Sequence, residues 1–220
     1  MITDERIATF INSLDRGLPD KLKELETEAK ESGVPIIRPQ MQSLMRVLLS
    51  LQKPMRILEV GTAIGFSALL MAEYVPEGAH ITTIEKYEKR IPIARENFIK
   101  FNRDKDITLL EGDATEILRE LTGPYDFIFM DAAKGQYINF LPDILRLLTP
   151  GGVLLSDNVL QDGNVIESRF AVVRRDRTIH SRMRDYLYEL KHNDELVTDI
   201  LPVGDGVTIS VKREAPIEKT

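Results

Sequence analysis

Two short stretches bring together residues able to do chemistry: Met130-Asp131-Ala132-Ala133-Lys134 and, twenty-six residues beyond that aspartate, Ser156-Asp157-Asn158. Each closes an apolar, strand-like run, so these side chains are expected at strand ends. Asp131, Asp157 and Asn158 offer two carboxylates and an amide carbonyl, the oxygen donors that a hard divalent cation such as magnesium prefers. Lys134 stands beside them as a candidate base. The set points to metal-assisted chemistry on a hydroxyl group. Acids at strand ends also arise from solubility alone, so neither stretch decides the matter by itself. His80, His180 and His192 are too scattered for a histidine metal site, and the lack of cysteine excludes disulfides, thiolate zinc sites and cysteine nucleophiles.

A second group of residues reads as a nucleotide site. Ile57-Leu58-Glu59-Val60-Gly61-Thr62-Ala63-Ile64-Gly65 is a strand running into a glycine-bearing turn and then a helix. Gly61 lets a ligand approach the backbone, and the helix start presents free N–H groups. The spacing Gly61-x-x-x-Gly65 departs from the G-x-G-x-x-G fingerprint of dinucleotide sites, which disfavours a pyrophosphate ligand. Glu85, closing the second strand, can accept from both hydroxyls of a ribose. Glu111-Gly112-Asp113-Ala114 closes the third, where Asp113 either accepts from an adenine amino group or caps the next helix.

These residues must be positioned by a chain of 220 residues, 43% hydrophobic, which suits one sizeable α/β domain. Ile7, Phe10, Ile11 and Leu14 recur at helical spacing, and Pro19 opens a second helix through Leu22, Leu25 and Ala29 that Gly33 and Pro35 end. A third helix carries Met41, Leu44, Met45 and Leu48. Strands are expected over 56–61, 80–85, 107–112, 125–132 and 151–158, with helices starting near Gly65, Tyr87, Asp113 and Tyr137. The last of these shows Ile138, Leu141, Leu145 and Leu148 on one face and stops at Pro150-Gly151-Gly152. Strand and helix in alternation imply right-handed crossovers and a doubly wound parallel sheet of Rossmann type. After a polar, basic helix to about His192, runs over 196–203 and 206–212 with Gly204-Asp205 between them predict an antiparallel hairpin. The expected division is an N-terminal helical arm over 1–35, a main domain over 36–213 and a flexible tail over 214–220.

No apolar run approaches the roughly 20 residues of a membrane span, and Met1-Ile2-Thr3-Asp4-Glu5 does not resemble a signal peptide, so a soluble, cytoplasmic protein with no membrane partner is expected. The formal net charge is -6, but Glu167 to Asp185 holds six arginines, Arg169, Arg174, Arg175, Arg177, Arg182 and Arg184, against three acids. That window is either an ordinary solvated helix face or a local phosphate-binding patch on an acidic protein.

Taken together, Glu59-x-Gly61, Ser67, Glu85, Gly112-Asp113-Ala114, Asp131-Ala132-x-Lys134 and Asp157-Asn158 resemble the class I S-adenosylmethionine-dependent O-methyltransferases of the metal-dependent catechol and caffeoyl-CoA type. The resemblance covers residues 36–213. It implies a seven-stranded sheet whose last strand is antiparallel, in agreement with the hairpin. It also implies that Glu59, Gly61, Thr62 and Ser67, with Ile37 at the arm junction, surround the methionine part of the cofactor S-adenosylmethionine. Glu85 would bind the ribose, and Asp113 and Ala114 the adenine. Asp131, Asp157 and Asn158 would hold magnesium or manganese, with Asp131 also near the cofactor, and Lys134 matches the general base. A lysine merely pairing Asp131 or Asp157 is the structural alternative.

Two acceptor classes offer the adjacent oxygens that such a cation can hold: small catechols or phenols, and a nucleobase such as 5-hydroxyuridine, whose O4 and 5-hydroxyl form such a pair. Val165-Ile166-Glu167-Ser168-Arg169-Phe170, followed by Arg174-Arg175-Asp176-Arg177-Thr178-Ile179-His180, resembles the bacterial tRNA 5-hydroxyuridine methyltransferases, which make 5-methoxyuridine at the wobble position. The sequence therefore favours tRNA as substrate over a small phenol. A non-catalytic adenosylmethionine- or RNA-binding protein on the same fold is the third reading, against which the intact acid set and Lys134 argue. The apolar arm and the resemblance together imply a homodimer.

Overall fold

From residue 56 onward, apolar residues switch between a period of two and one near 3.6, and the chain gathers the resulting strands into one sheet. The computed structural model describes residues 4–168 and 170–214. Its strands are β1 (Arg56–Val60), β2 (His80–Glu85), β3 (Ile107–Glu111), β4 (Tyr125–Met130), β5 (Leu148–Ser156), β6 (Leu196–Leu201) and β7 (Val207–Lys212), in the order β3-β2-β1-β4-β5-β7-β6. β1 to β5 pair in parallel, while β7 is antiparallel to both its neighbours, as the hairpin implied.

The helices are α1 (Glu5–Ser13), α2 (Asp20–Glu31), α3 (Pro39–Gln52), α4 (Phe66–Tyr74), α5 (Ile91–Lys100), α6 (Ala114–Glu120), α7 (Tyr137–Leu147) and α8 (Arg177–His192). Successive strand residues point to opposite faces. Ile57, Phe127, Phe129 and Leu155 therefore pack with Leu25 of α2, Met45 of α3, Leu69 of α4 and Phe98 of α5. One residue out of step, Leu58, Val60, Ile128, Met130 and Leu154 pack with Leu118 of α6, Ile144 of α7 and Tyr186 of α8. Burying both faces is what a parallel sheet needs, and each fully buried Leu, Ile or Phe contributes about 1.5 to 3 kcal/mol relative to exposure. α1 stands apart: it buries Ala8 but exposes Ile7, Phe10, Ile11 and Leu14.

Two local expectations change. α7 buries Tyr137, Phe140, Leu141, Ile144 and Leu147, so the apolar stripe is centred away from Ile138 and Leu145, which are only partly covered. The helix ends at Leu147, before Pro150-Gly151-Gly152, and those three residues lie inside β5. Leu148 already pairs with Tyr125, and a shift of register before Phe127 absorbs the irregular Pro-Gly-Gly stretch. The strands also end one or two residues early at β1, β3, β4 and β5, leaving Gly61, Gly112, Asp131 and Asp157 just past the ladder.

Strand order reverses at β1, with β2 and β3 on one side and β4 and β5 on the other. In an open α/β sheet, the crevice beyond the strand ends at such a point is where ligands bind. Residues 215–220 of the expected tail lie outside the described residues.

Candidate active site

A cavity of about 570 Å³ opens beyond the C-terminal ends of β1 to β5, a size typical of small-molecule sites. From the β3 side to the β5 side its wall includes Asp113 and Ala114, Glu85, Gly61 and Thr62, then Asp131 and Lys134, then Asp157 and Asn158. Ile37 and Ser67 complete the expected set on the wall. The backbone at Gly61 has φ +106°, and a Cβ there would stand 2.2 Å from the Asp131 carbonyl oxygen. Only glycine allows β1 and β4 to meet at that closeness.

The acids on the β2 and β3 side are held by the chain itself. Glu85 Oε2 accepts from the Ala63 N–H at 2.7 Å, and Oε1 from those of Lys86 and Tyr87 at 3.0 and 2.8 Å. Three backbone donors fix the carboxylate at the cavity edge, where it can accept from a diol. Asp113 both caps α6, accepting from Thr115 N–H at 2.8 Å, and lines the cavity. The cap, with a Lys86 contact, holds its carboxyl below the usual range.

Glu59 is the exception, since it does not line the cavity. Period two puts it on the Ile57 face, in register with Thr83 of β2 and fully buried. Its carboxylate accepts from the Ser67 hydroxyl and, at 2.5 Å, from that of Thr83. Because the Thr83 hydrogen is engaged there, the Thr62 hydroxyl, 2.5 Å from Thr83 Oγ1, must donate to Thr83. Glu59 thus acts on the cavity through Ser67 and Thr62. Burial pushes its pKa up to about 7 against the two hydroxyl bonds.

The β4 and β5 side is balanced differently. The Asp131 N–H donates to Val60 O and the Asp157 N–H to Met130 O, both at 3.0 Å, which carries the pairing one residue past the strands. Lys134 Nζ then donates to Asp131 Oδ1 at 2.8 Å and to Asn158 Oδ1 at 2.5 Å. Asn158 adopts φ +57°, a left-handed backbone that asparagine tolerates better than most residues. Asp157 is almost fully buried, and its Oδ1 accepts from the Asn158 N–H at 2.7 Å, its one hydrogen-bond donor among the described residues. Burial first, then the neighbouring Asp131 charge, raise its pKa to about 7.

Among the described residues no three His, Cys, Asp or Glu side chains converge as a metal cluster. Here the third oxygen is an amide. Asp131 and Asn158 converge on one point, now the Lys134 ammonium, beside a carboxyl that is short of positive charge. That donor set fits a hard divalent cation. Of the two structural partners open to Lys134, the one found is Asp131.

Residues that were not singled out in the sequence also line the cavity, among them Arg38, Phe66, Lys86, Arg90 and Phe140. Arg38 directly precedes Pro39 at the start of α3, and its guanidinium reaches Asp162 at 3.4 Å. The helix-starting proline was the available signal.

The six arginines do not form one free row. Arg177 bonds Val172 O at 3.2 Å and lies over the Phe170 ring, Arg182 bonds Gly135 O at 3.0 Å, and Arg184 bonds Val165 O at 3.1 Å. These three tie the 161–176 segment and the Lys134 loop to α8. Arg174 and Arg175 are exposed, with Arg175 only loosely paired to Asp176. Arg169 lies outside the described residues.

Comparison with known proteins shows the family and the fold. The family model described as O-methyltransferase matches residues 13–213. A catechol O-methyltransferase of Niastella koreensis is 31% identical over 169 residues, spanning 74% of this chain and 76% of the relative. A caffeoyl-CoA O-methyltransferase of Medicago sativa is 34% identical over 181 residues, spanning 75% and 70%. Among solved structures, the SAH-bound methyltransferase of Podospora anserina superposes with a TM-score of 0.85 at 29% identity, covering 96% of this chain and 95% of the other. The O-methyltransferase of Bacillus cereus in complex with SAH gives 0.84 at 25% identity, covering 97% and 100%.

Proposed function

The chain belongs to the O-methyltransferase family, and from that premise we propose that it transfers the methyl group of S-adenosylmethionine to one oxygen of a vicinal pair, using a divalent cation. The observation that carries this reading is the convergence of Asp131 Oδ1 and Asn158 Oδ1 on one cationic point beside buried Asp157. Asp131, Asp157 and Asn158 would hold magnesium or manganese. When bound, such an ion supplies Lewis acidity, gripping two adjacent acceptor oxygens and favouring the deprotonated one.

The chain's own residues do the rest. Glu85 accepts from the ribose hydroxyls, Asp113 and Ala114 flank the adenine, and Gly61, Thr62, Ser67 and Ile37 enclose the methionine portion. Methyl transfer forms the O–CH3 bond as the S–CH3 bond breaks, leaving a neutral thioether and releasing the acceptor's proton. Cation and ammonium seek the same two oxygens, so a bound cation would free Lys134 from Asp131 and Asn158; having given its own proton to solvent, Lys134 Nζ would then be the neutral amine placed to receive the acceptor's proton.

The acceptor class that fits the named relatives is a small catechol-type ring. A second reading, 5-hydroxyuridine at the tRNA wobble position, is favoured by exposed Phe170, Arg174 and Arg175 on the segment that α8 ties beside the Lys134 loop. Incubation with labelled S-adenosylmethionine and either a catechol or tRNA bearing 5-hydroxyuridine, read by mass spectrometry, separates the two. Methylation of unmodified uridine, which lacks the oxygen pair, would refute the mechanism. The exposed apolar residues of α1, with Val47 and Leu51 of α3, also support a homodimer. Light scattering at micromolar concentration should give twice the chain mass, and a monomer would count against it.

A further inference from the structure

Tyr137 opens α7 three residues after Lys134 and is fully buried beneath the β4 and β5 ends. Its hydroxyl lies 3.1 Å from Met130 O and 3.1 Å from Asp157 O, so its one hydrogen is shared between the ends of two strands. Met130 directly precedes Asp131. The Lys134 ammonium lies 5.8 Å from the centre of the Tyr137 ring, within cation–π reach. Tyr186 of α8 meets that ring edge-on at 5.4 Å, and its own hydroxyl is 2.7 Å from Ser156 Oγ. The phenol is therefore braced from the far side.

Packing alone would be served by phenylalanine, since a buried hydroxyl is unfavourable unless it is bonded. The hydroxyl here meets backbone alone among the described partners: the carbonyl just before Asp131, the carbonyl of Asp157 itself and the backbone of Ala132. We propose that Tyr137 is a positioning residue: its hydroxyl sets the spacing of the Asp131 and Asp157 strand ends, and its ring offers the Lys134 side chain a resting face near that spacing. This rests on the divalent-cation reading above. Outer partners of metal ligands act this way, by orienting donors they do not replace.

The test compares Tyr137→Phe, which keeps the ring, with Tyr186→Phe, which removes a neighbouring hydroxyl that touches neither carbonyl. Both are checked by melting and studied well below their melting temperatures. Manganese affinity is read by electron paramagnetic resonance, cofactor affinity by calorimetry, and amide exchange at residues 130–134 and 156–159 by mass spectrometry. Tyr137→Phe should weaken manganese binding about tenfold or more, lower kcat at saturating metal and speed exchange at those amides, with cofactor affinity unchanged. Tyr186→Phe should leave manganese binding unchanged. Unaltered manganese affinity in Tyr137→Phe, or equal weakening of metal and cofactor, would overturn the assignment. If the wild-type protein bound no manganese, the cation reading would fail by itself. The exchange result would then decide: faster exchange confined to those two strand ends supports the strut, and unchanged exchange removes it.

Discussion

Glu85 and Asp157 close two strands of one sheet and face one cavity, yet the chain treats them in opposite ways. Glu85 receives three backbone N–H groups, so its charge is satisfied by the fold before any ligand binds. Asp157 receives one, lies deeper, and has a second carboxylate beside it. A buried acid next to a like charge is unfavourable unless a cation or a proton compensates it. The difference teaches that the acid on the β2 and β3 side is finished by backbone donors, whereas the buried acid on the β4 and β5 side is left to be balanced by a cation or a proton.

Breaking the incomplete side should cost most. Asp157→Ala is expected to lower turnover on the order of a hundredfold or more, since several kcal/mol of metal assistance is lost, while cofactor affinity by calorimetry stays near that of the wild type. Comparable loss of both would erase the contrast between the two sides. On the finished side, Glu85→Ala removes charge-assisted hydrogen bonds of about 1.5 to 3 kcal/mol, so the cofactor Kd should rise roughly tenfold to a hundredfold with metal binding intact. An unchanged Kd would contradict the ribose role.

Glu59 sharpens the comparison, because its compensation comes from hydroxyls and is incomplete. A carboxyl whose folded pKa is about 7 keeps a proton that the unfolded chain releases near its ordinary value of 4.5. Stability should therefore fall as pH rises through that window, by up to a few kcal/mol to order of magnitude. Glu59→Gln lacks this dependence, so the wild-type melting temperature should drop relative to the variant's between those pH values and then level off. A constant difference would mean that Glu59 is ionised throughout. The smallest effect is expected outside the cavity: Arg174→Glu with Arg175→Glu should leave catechol turnover unchanged. If tRNA is the acceptor, the same pair should raise its KM and flatten its salt dependence by about one unit of slope for each phosphate no longer neutralised. Weaker turnover of the catechol as well would place these arginines in the fold of the loop.

What the sequence made legible follows from how local each signal is. Gly61, Glu85 and Asp113 sit at strand-to-helix turns whose geometry is determined within a few residues, and all three line the cavity. The parallel order and the terminal hairpin follow from alternation and one short turn. The resemblance places Glu59 beside the cofactor, but the sequence motif does not reveal that strand parity turns it to the opposite face from Val60, behind Ser67 and Thr62. The arginine window resisted reading for another reason. Arg177, Arg182 and Arg184 take their partners from carbonyls at Val172, Gly135 and Val165, and only the docking of α8 decides those pairings. The convergence of Asp131, Asn158 and Lys134 likewise depends on the β4–β5 register, which pairs Met130 with Ser156 and which no local pattern specifies.

The most direct test of the incomplete side is manganese titration of the metal-stripped protein by electron paramagnetic resonance, with the wild type beside Asp157→Ala. The expected result is one ion bound per chain in the wild type, with binding abolished in the variant and catechol turnover appearing in step with occupancy. Full turnover by exhaustively stripped protein, with no ion bound, would contradict it.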